Sequence, residues 1–310
     1  MGRPRVAIVL ALSALSALSA CRENADHARR VASPPLGDVR QSGLIDNPAL
    51  VEASGLARGA ANAGVFWSHN DSGNDALLFA LDSTGASRGT VRVTGATNTD
   101  WEAIASGPCE SGSCLYIGDV GDNKARRAEV TLWRVREPLP SDTATAQATQ
   151  LDFRYPDGPH DVEAMWVAPD TTVWLVTKRP LRTRRGNFRP ALLFRLPAAA
   201  WRGPSPAVAE LVDSLPITPI EQNPNGWITD ASYGSSVSGP ARVVIRTYQE
   251  VFVLAADPMT GRPGGITARC SLSALRERYG EAVTWMQDNR LLFANEGRHS
   301  RLWTGRCAPP

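Results

Sequence analysis

An all-β fold, a β-propeller of five four-stranded blades, is what this 310-residue sequence predicts, and three recurring features predict it. An acidic residue followed by alanine recurs as Glu52-Ala53, Glu102-Ala103, Glu163-Ala164, Asp230-Ala231 and Glu281-Ala282. After each comes a short apolar run: Val65-Phe66-Trp67, Leu115-Tyr116-Ile117, Val173-Trp174-Leu175, Val243-Val244-Ile245 or Leu291-Leu292-Phe293. An aliphatic-aromatic pair then closes the unit: Leu78-Phe79, Leu132-Trp133, Leu193-Phe194, Val251-Phe252 or Leu302-Trp303. Successive acids lie 50, 61, 67 and 51 positions apart, the length of chain that one four-stranded blade consumes.

Within each unit the inner strand starts at the acid, the second strand is the apolar run and the third carries the aliphatic-aromatic pair. The fourth is a looser run such as Thr90-Val91-Arg92-Val93 or Thr149-Gln150-Leu151-Asp152-Phe153. Gly, Pro, Asn and Asp clusters mark the turns. The fifth unit has no fourth strand of its own, because the sequence ends just after Cys307. Residues near Val39 to Ile45 precede the first unit and supply that strand, closing the ring with strands from both termini and leaving no exposed edge. The gap between Leu196 and Trp227 leaves room for a degenerate unit, so six blades is the alternative. A barrel or sandwich would not require the observed period. Residues 271–278 are the one short helix expected.

Ahead of the repeats, residues 1–20 carry Arg3 and Arg5, an apolar run from Val6 and a small-residue ending, which is the pattern of a secretory signal. The ending Leu18-Ser19-Ala20-Cys21 resembles the lipobox of bacterial lipoproteins. That resemblance implies cleavage before Cys21 and lipidation of its sulfur, hence an extracytoplasmic protein held to the cell membrane or outer membrane by acyl chains. Residues 21–37 read as a flexible tether and residues 38–310 as the propeller domain. Five cysteines are odd in number, and setting Cys21 aside leaves four. Cys109 and Cys114 bracket a turn and would staple a hairpin, while Cys270 and Cys307 would join the last two repeats. Both bridges suit an oxidising compartment.

The formal charge is +2, and without Arg3 and Arg5 the chain carries 31 basic and 31 acidic residues, so no basic footprint for nucleic acid exists. A locally basic run from Arg182 to Arg189 reads as a solvated loop. Nucleotide-binding glycine motifs and a Gly-x-Ser-x-Gly nucleophile elbow are missing from the sequence.

In a propeller the inner strands line the central channel, so Glu52, Glu102, Glu163, Asp230 and Glu281 would face one another. At about 6 Å and an effective dielectric near 20, each like-charged pair costs roughly 3 kcal/mol. A bound cation, protonation of some of the acids, inserted basic side chains such as Lys178 and Arg246, or use of the acids as caps for backbone amides would relieve it. The loops around Asn70-Asp71-Ser72-Gly73-Asn74 and Asp119-Val120-Gly121-Asp122-Asn123 add hard oxygen donors, as does Glu296, and together they suit Ca²⁺. Asx turns alone would also explain both loops. Glu102, Glu163 and His69 are the candidate catalytic residues, His160 being a further possible base; Lys178, Arg246, Trp101 and Asn70 are the candidate ligand contacts.

These loops, with Asp100-Trp101-Glu102 and Asn295-Glu296-Gly297, resemble uncharacterised secreted bacterial propellers likened to β-propeller phytases and to SMP-30 or strictosidine-synthase-like hydrolases. The resemblance implies calcium-dependent hydrolysis of phosphate or carboxylic esters. The residues themselves, with no evident nucleophile, favour a monomeric ligand-binding or scaffold module of the cell envelope. Such a module would hold a divalent cation in its channel and meet a small anionic ligand, a glycan or a protein. The hydrolase is the alternative.

Overall fold

In a computed structural model of the chain, residues 33–308 are described, apart from 111, 179–189, 216, 218–225, 235–238 and 278. Cys21, the signal, most of the tether and the Arg182 to Arg189 run lie outside the described residues.

Five antiparallel sheets of β-branched and aromatic residues form the ring. The first blade has β2 (Ala57–Arg58), β3 (Phe66–Ser68), β4 (Leu77–Leu81) and β5 (Ser87–Arg92). The second has β6 (Trp101–Cys109), β7 (Gly112–Asp119), β8 (Val130–Arg136) and β9 (Thr149–Arg154). β10 (Val162–Val167), β11 (Val173–Thr177), β12 (Leu192–Leu196) and β14 (Glu210–Ser214) build the third; β15 (Ile228–Gly234), β16 (Arg242–Thr247), β17 (Glu250–Ala256) and β18 (Pro263–Ser271) build the fourth. In the fifth, β19 (Gly280–Trp285), β20 (Leu291–Asn295) and β21 (Arg301–Arg306) are completed by β1 (Gly37–Leu44), which pairs with β21. The ring therefore closes through strands from opposite ends of the domain, as the missing fourth strand of the last repeat implies.

The six-blade alternative does not hold. The stretch after Leu196 forms a short 3-10 turn, then β13 (Ala207–Val208), which adds in parallel to the outer strand of blade two, and then the outer strand of blade three. The expected helix shrinks to a 3-10 turn over Ser273–Leu275. The domain also begins earlier than position 38: Pro35 bridges Ser271 and Leu36 is buried, because its side chain packs with Val251, Leu272 and Phe293. Residues Pro34–Pro310 form one contact unit.

Apolar residues on the two sides of each sheet meet the neighbouring blades, so the core is divided into five wedges around the channel. Trp67 and Trp133 fill the wedge between blades one and two, Trp174 that between three and four, and Trp303 packs against that between four and five. Both expected disulfides are formed, Cys109 with Cys114 across the turn between β6 and β7, and Cys270 with Cys307 between the last two blades.

Candidate functional site

The inner strands begin at one mouth of the channel, and each carries a β-bulge there. The second strands of blades two to five end at Asp119, Thr177, Thr247 and Asn295, paired with Trp101, Val162, Ile228 and Gly280, and in blade one Asn70, just past β3, bridges Ala53. In blades two to five the next inner-strand residue is the extra one: Glu102, Glu163, Thr229 and Glu281. In blade one, Ala53 to Ala57 opposes the shorter Trp67 to Asn70, which puts Ser54 in the same place. The ring thus holds three carboxylates and two hydroxyls. Two of the five predicted acids are elsewhere.

Glu52 is exposed and its Oε2 accepts from Asn74 Nδ2 at 2.8 Å. Asp230 lies one residue past the bulge, and its carboxylate accepts from the backbone N–H groups of Ala231 (2.8 Å), Val283 (2.7 Å) and Leu56. It therefore ties the inner strands of blades four, five and one together across the channel. Burial pushes its carboxyl up, and the three N–H donors with Arg246 pull against that.

The three ring acids meet two different kinds of relief. Glu163 is capped by Lys178 Nζ; burial raises the Glu163 carboxyl and the ammonium opposes it. Burial alone would lower Lys178, but Glu163 and Glu102 raise it, so it stays charged. Tyr248 donates to Glu281 Oε1 at 2.7 Å. Ser54 Oγ donates to Glu102 Oε2 at 2.8 Å, yet burial, then Glu163 and Asp71, push Glu102 well above the usual carboxylate range, with Lys178 opposing.

Beside Glu102 the carboxylates of Asp71 and Asp100 converge, and one oxygen from each of the three lies within 4.8 Å of the others. Burial, followed by Asp71, raises Asp100 to about 6 against the pull of Arg127. Burial, then Glu281, Asp71 and Glu52, raises Glu296 to about 7, against Lys178. Two nearby carboxylate oxygens, Oδ2 of Asp161 and Oε2 of Glu281, are buried without a hydrogen-bond partner among the described residues. Hard oxygens in excess of their donors are the donor chemistry a divalent cation would take, and Asp71 and Asp100 are partly exposed.

The loops hold this cluster in place. Asn98 Nδ2 donates to the carbonyls of Asn70 (3.1 Å) and Asp71 (2.8 Å), while its Oδ1 accepts from Trp101 N at 3.0 Å. Asp119 accepts from the backbone of Thr99 (3.0 Å) and Asp100 (3.1 Å) and pairs with Arg127 at 2.8 Å. Gly121 is required by close approach: a Cβ there would lie 2.6 Å from the Asp100 carboxyl and 2.7 Å from Glu102 Cγ.

Several predicted site residues are structural instead. Asp122 accepts from Arg126 N and Arg127 N, both at 2.6 Å, so Asp119 and Asp122 act as turn caps, the Asx alternative. Asn123 is exposed on that turn. Asn70 is spent on the backbone of Val51, Glu52 and Ala49. Trp101, the expected ligand-facing aromatic, is fully buried, with its indole N–H on Thr97 O at 2.8 Å. His69 is equally buried, edge-on to Trp101; Nδ1 donates to Asn70 O at 3.0 Å and burial lowers its pKa to about 4. A neutral imidazole sealed in the wall cannot serve as a base at the mouth. His160 packs with Tyr155 and Phe194 and bonds Asp157 at 2.9 Å. Arg246 is fully buried and committed to the carbonyls of Ala282 (2.7 Å) and Ala294 (3.1 Å) and to Glu277. Gly280 makes way for it, since a Cβ there would fall 1.6 Å from Nη2.

Asp100, Asn98, Tyr248 and Asp161 were not among the sequence candidates. Asp100 stood in the quoted Asp100-Trp101-Glu102 motif, and its spacing of two from Glu102 across a bulge was the available signal.

No protein-family model matches the chain, and a search of curated proteins finds no match. Among solved structures, the major Malassezia sympodialis allergen Mala s 1 is similar at 12% identity, with TM-score 0.51, over 88% of this chain and 96% of that one. The soluble aldose sugar dehydrogenase of Escherichia coli gives 11% identity and TM-score 0.48, over 88% and 99% of the two chains. At such identity the likeness speaks for the propeller fold alone.

Proposed function

We propose that this protein is a cell-envelope propeller that binds a divalent cation, Ca²⁺ in the first place, at the acidic mouth of its channel and uses that mouth to bind a ligand. The observation that carries the reading is the convergence of Asp71, Asp100 and Glu102 within 4.8 Å, with no basic side chain bonded to any of the three among the described residues. The oxygens of Asp161 and Glu281 that have no partner among the described residues support it. Ca²⁺ suits the site better than Mg²⁺, which demands a stricter octahedral shell than side chains drawn from two loops and a strand end supply. Lipidation at Cys21, outside the described residues, would hold the module at the membrane.

Calorimetric titration of Ca²⁺ and Mg²⁺ into chelator-treated protein tests the cation. One tight Ca²⁺ site that Asp100→Asn weakens at least tenfold is expected, and no saturable Ca²⁺ binding would sink the reading. The same protein, Ca²⁺-loaded, is then offered chromogenic phosphate and acyl esters. Turnover lost in Asp100→Asn would replace the binding module by a metal-dependent ester hydrolase.

A further inference from the structure

The far ends of the inner strands enclose a second feature, a cavity of about 330 Å³ at the opposite mouth of the channel. Glu102 and Ser106 are four residues apart on one strand, about 13 Å at the usual rise, so the two mouths are distinct places. The volume lies at the lower end for small-molecule pockets.

Its chemistry is one-sided. Trp166, Trp285 and Tyr233 contribute to the wall, and their polar atoms are already spent on carbonyls: Trp166 on Gly261 at 3.0 Å, Trp285 on Ser232 at 3.1 Å and Tyr233 on Pro258 at 3.1 Å. What these rings offer an occupant is apolar surface. Ser232 and Thr284 bring their hydroxyls together at 3.1 Å; the pair owns two hydrogens and uses one between them, which leaves one O–H to donate. Arg58 lines the same cavity, and among the described residues no carboxylate pairs with it and no Asp or Glu contributes to the lining. Arg242 lies over the Trp285 ring at 4.4 Å and bonds Asn289, and no acid among the described residues pairs with this second positive charge.

We propose that this cavity, where unpaired Arg58 and the Ser232–Thr284 hydroxyl pair meet the aromatic wall of Trp166 and Trp285, is a binding site for a small organic carboxylate with a planar or apolar body. The guanidinium matches a carboxylate in a two-pronged geometry, the spare hydroxyl donates to it, and the rings cover the body. A cationic ligand would meet Arg58 with no acid to offset it. At about 30 Å³ per water the space holds roughly ten waters, which fits one ring bearing one short acid group. The proposal goes beyond the cation site and does not depend on it.

Benzoate, benzamide and benzylamine distinguish the features claimed. Tryptophan fluorescence and ligand-observed NMR on the full chain should show saturable benzoate binding, at least tenfold weaker binding of benzamide and none of benzylamine. Arg58→Gln should weaken benzoate at least tenfold, and Ser232→Ala about fivefold, the effect of one hydrogen bond. Arg58→Lys, which keeps the charge and loses the fork, should fall between wild type and Arg58→Gln and guards against a folding defect in the latter. Binding should be the same with Ca²⁺ and with chelator, which separates its failure from failure of the cation site. Equal binding of benzylamine or benzamide, an unaffected Arg58→Gln, or no saturation by about 10 mM benzoate would each overturn the proposal.

Discussion

The two mouths of the channel are built from the same inner strands, yet their chemistry is opposite. Where the strands begin, Asp71, Asp100, Glu102, Glu163, Glu281 and Glu296 gather, with Lys178 bonded to Glu163 and Arg127 pulling on Asp100. Where they end, Arg58 and a hydroxyl pair face aromatic rings with no acid in the described lining. Between the two ends the inner strands carry buried Ala103, Ala164, Met165, Ala282 and Val283, and Asp230 bonds across from blade four to blade five. The difference teaches that position along a strand, and not membership of a repeat, decides what a propeller residue does.

Breaking the acidic mouth should have the largest effect. Lys178→Met leaves Glu163 buried without its partner, and chemical denaturation at pH 8 should show a loss of about 3 kcal/mol. Part of that loss should return at pH 5, where Glu163 and Glu102 take up protons more readily. If the loss were the same at both pH values, mutual repulsion of the ring acids would not be its cause.

Gly121→Ala should come next. The added methyl group displaces Asp100 and Glu102, so Ca²⁺ affinity measured by calorimetry should fall at least tenfold while benzoate binding at the other mouth stays as it was.

A smaller, graded effect is expected from pH. Asp100 and Glu296 titrate at about 6 and about 7 in the folded chain, above their unfolded values, so the folded state holds protons that the unfolded state gives up. Stability of the chelated protein should therefore decline as pH rises from about 4 through 7, and added Ca²⁺ should flatten that slope. Thermal melts at pH 5 and pH 8 measure it, and a chelated protein more stable at pH 8 would contradict the assignment.

The smallest effect sharpens the contrast from the other side. Arg58 pairs with no described acid, so Arg58→Gln should leave the melting temperature within the range of a surface change, about 0.5 kcal/mol or less.

Blade number, ring closure and both disulfides were legible in the sequence because each rests on spacing: acids, apolar runs and cysteines recur at strand intervals. The site was legible only in part, for a reason visible in blade four. Thr229-Asp230-Ala231 reads like Trp101-Glu102-Ala103, but the bulge falls on Thr229, which turns Asp230 by one position and sends it into backbone amides. Blade one repeats the problem, with Ser54 at the ring and Glu52 on the rim. A one-residue slip in a strand exchanges its faces, and no composition signal marks where a bulge will fall. His69 and Trp101 were misread for a related reason: Asp100 joins the acidic cluster while its neighbour Trp101, and His69 edge-on to it, are packed inward. Arg58 belongs to no motif, and only the missing counter-charge makes it conspicuous.

The pairing of β1 with β21 sets the order in which the molecule can be finished. Synthesis delivers Gly37–Leu44 before any blade exists, and its partner, Arg301–Arg306, only at the end. The earliest strand must wait, unpartnered, for the last one, so a chain cut short anywhere before residue 301 leaves an open sheet edge, and completeness is checked by the circle itself.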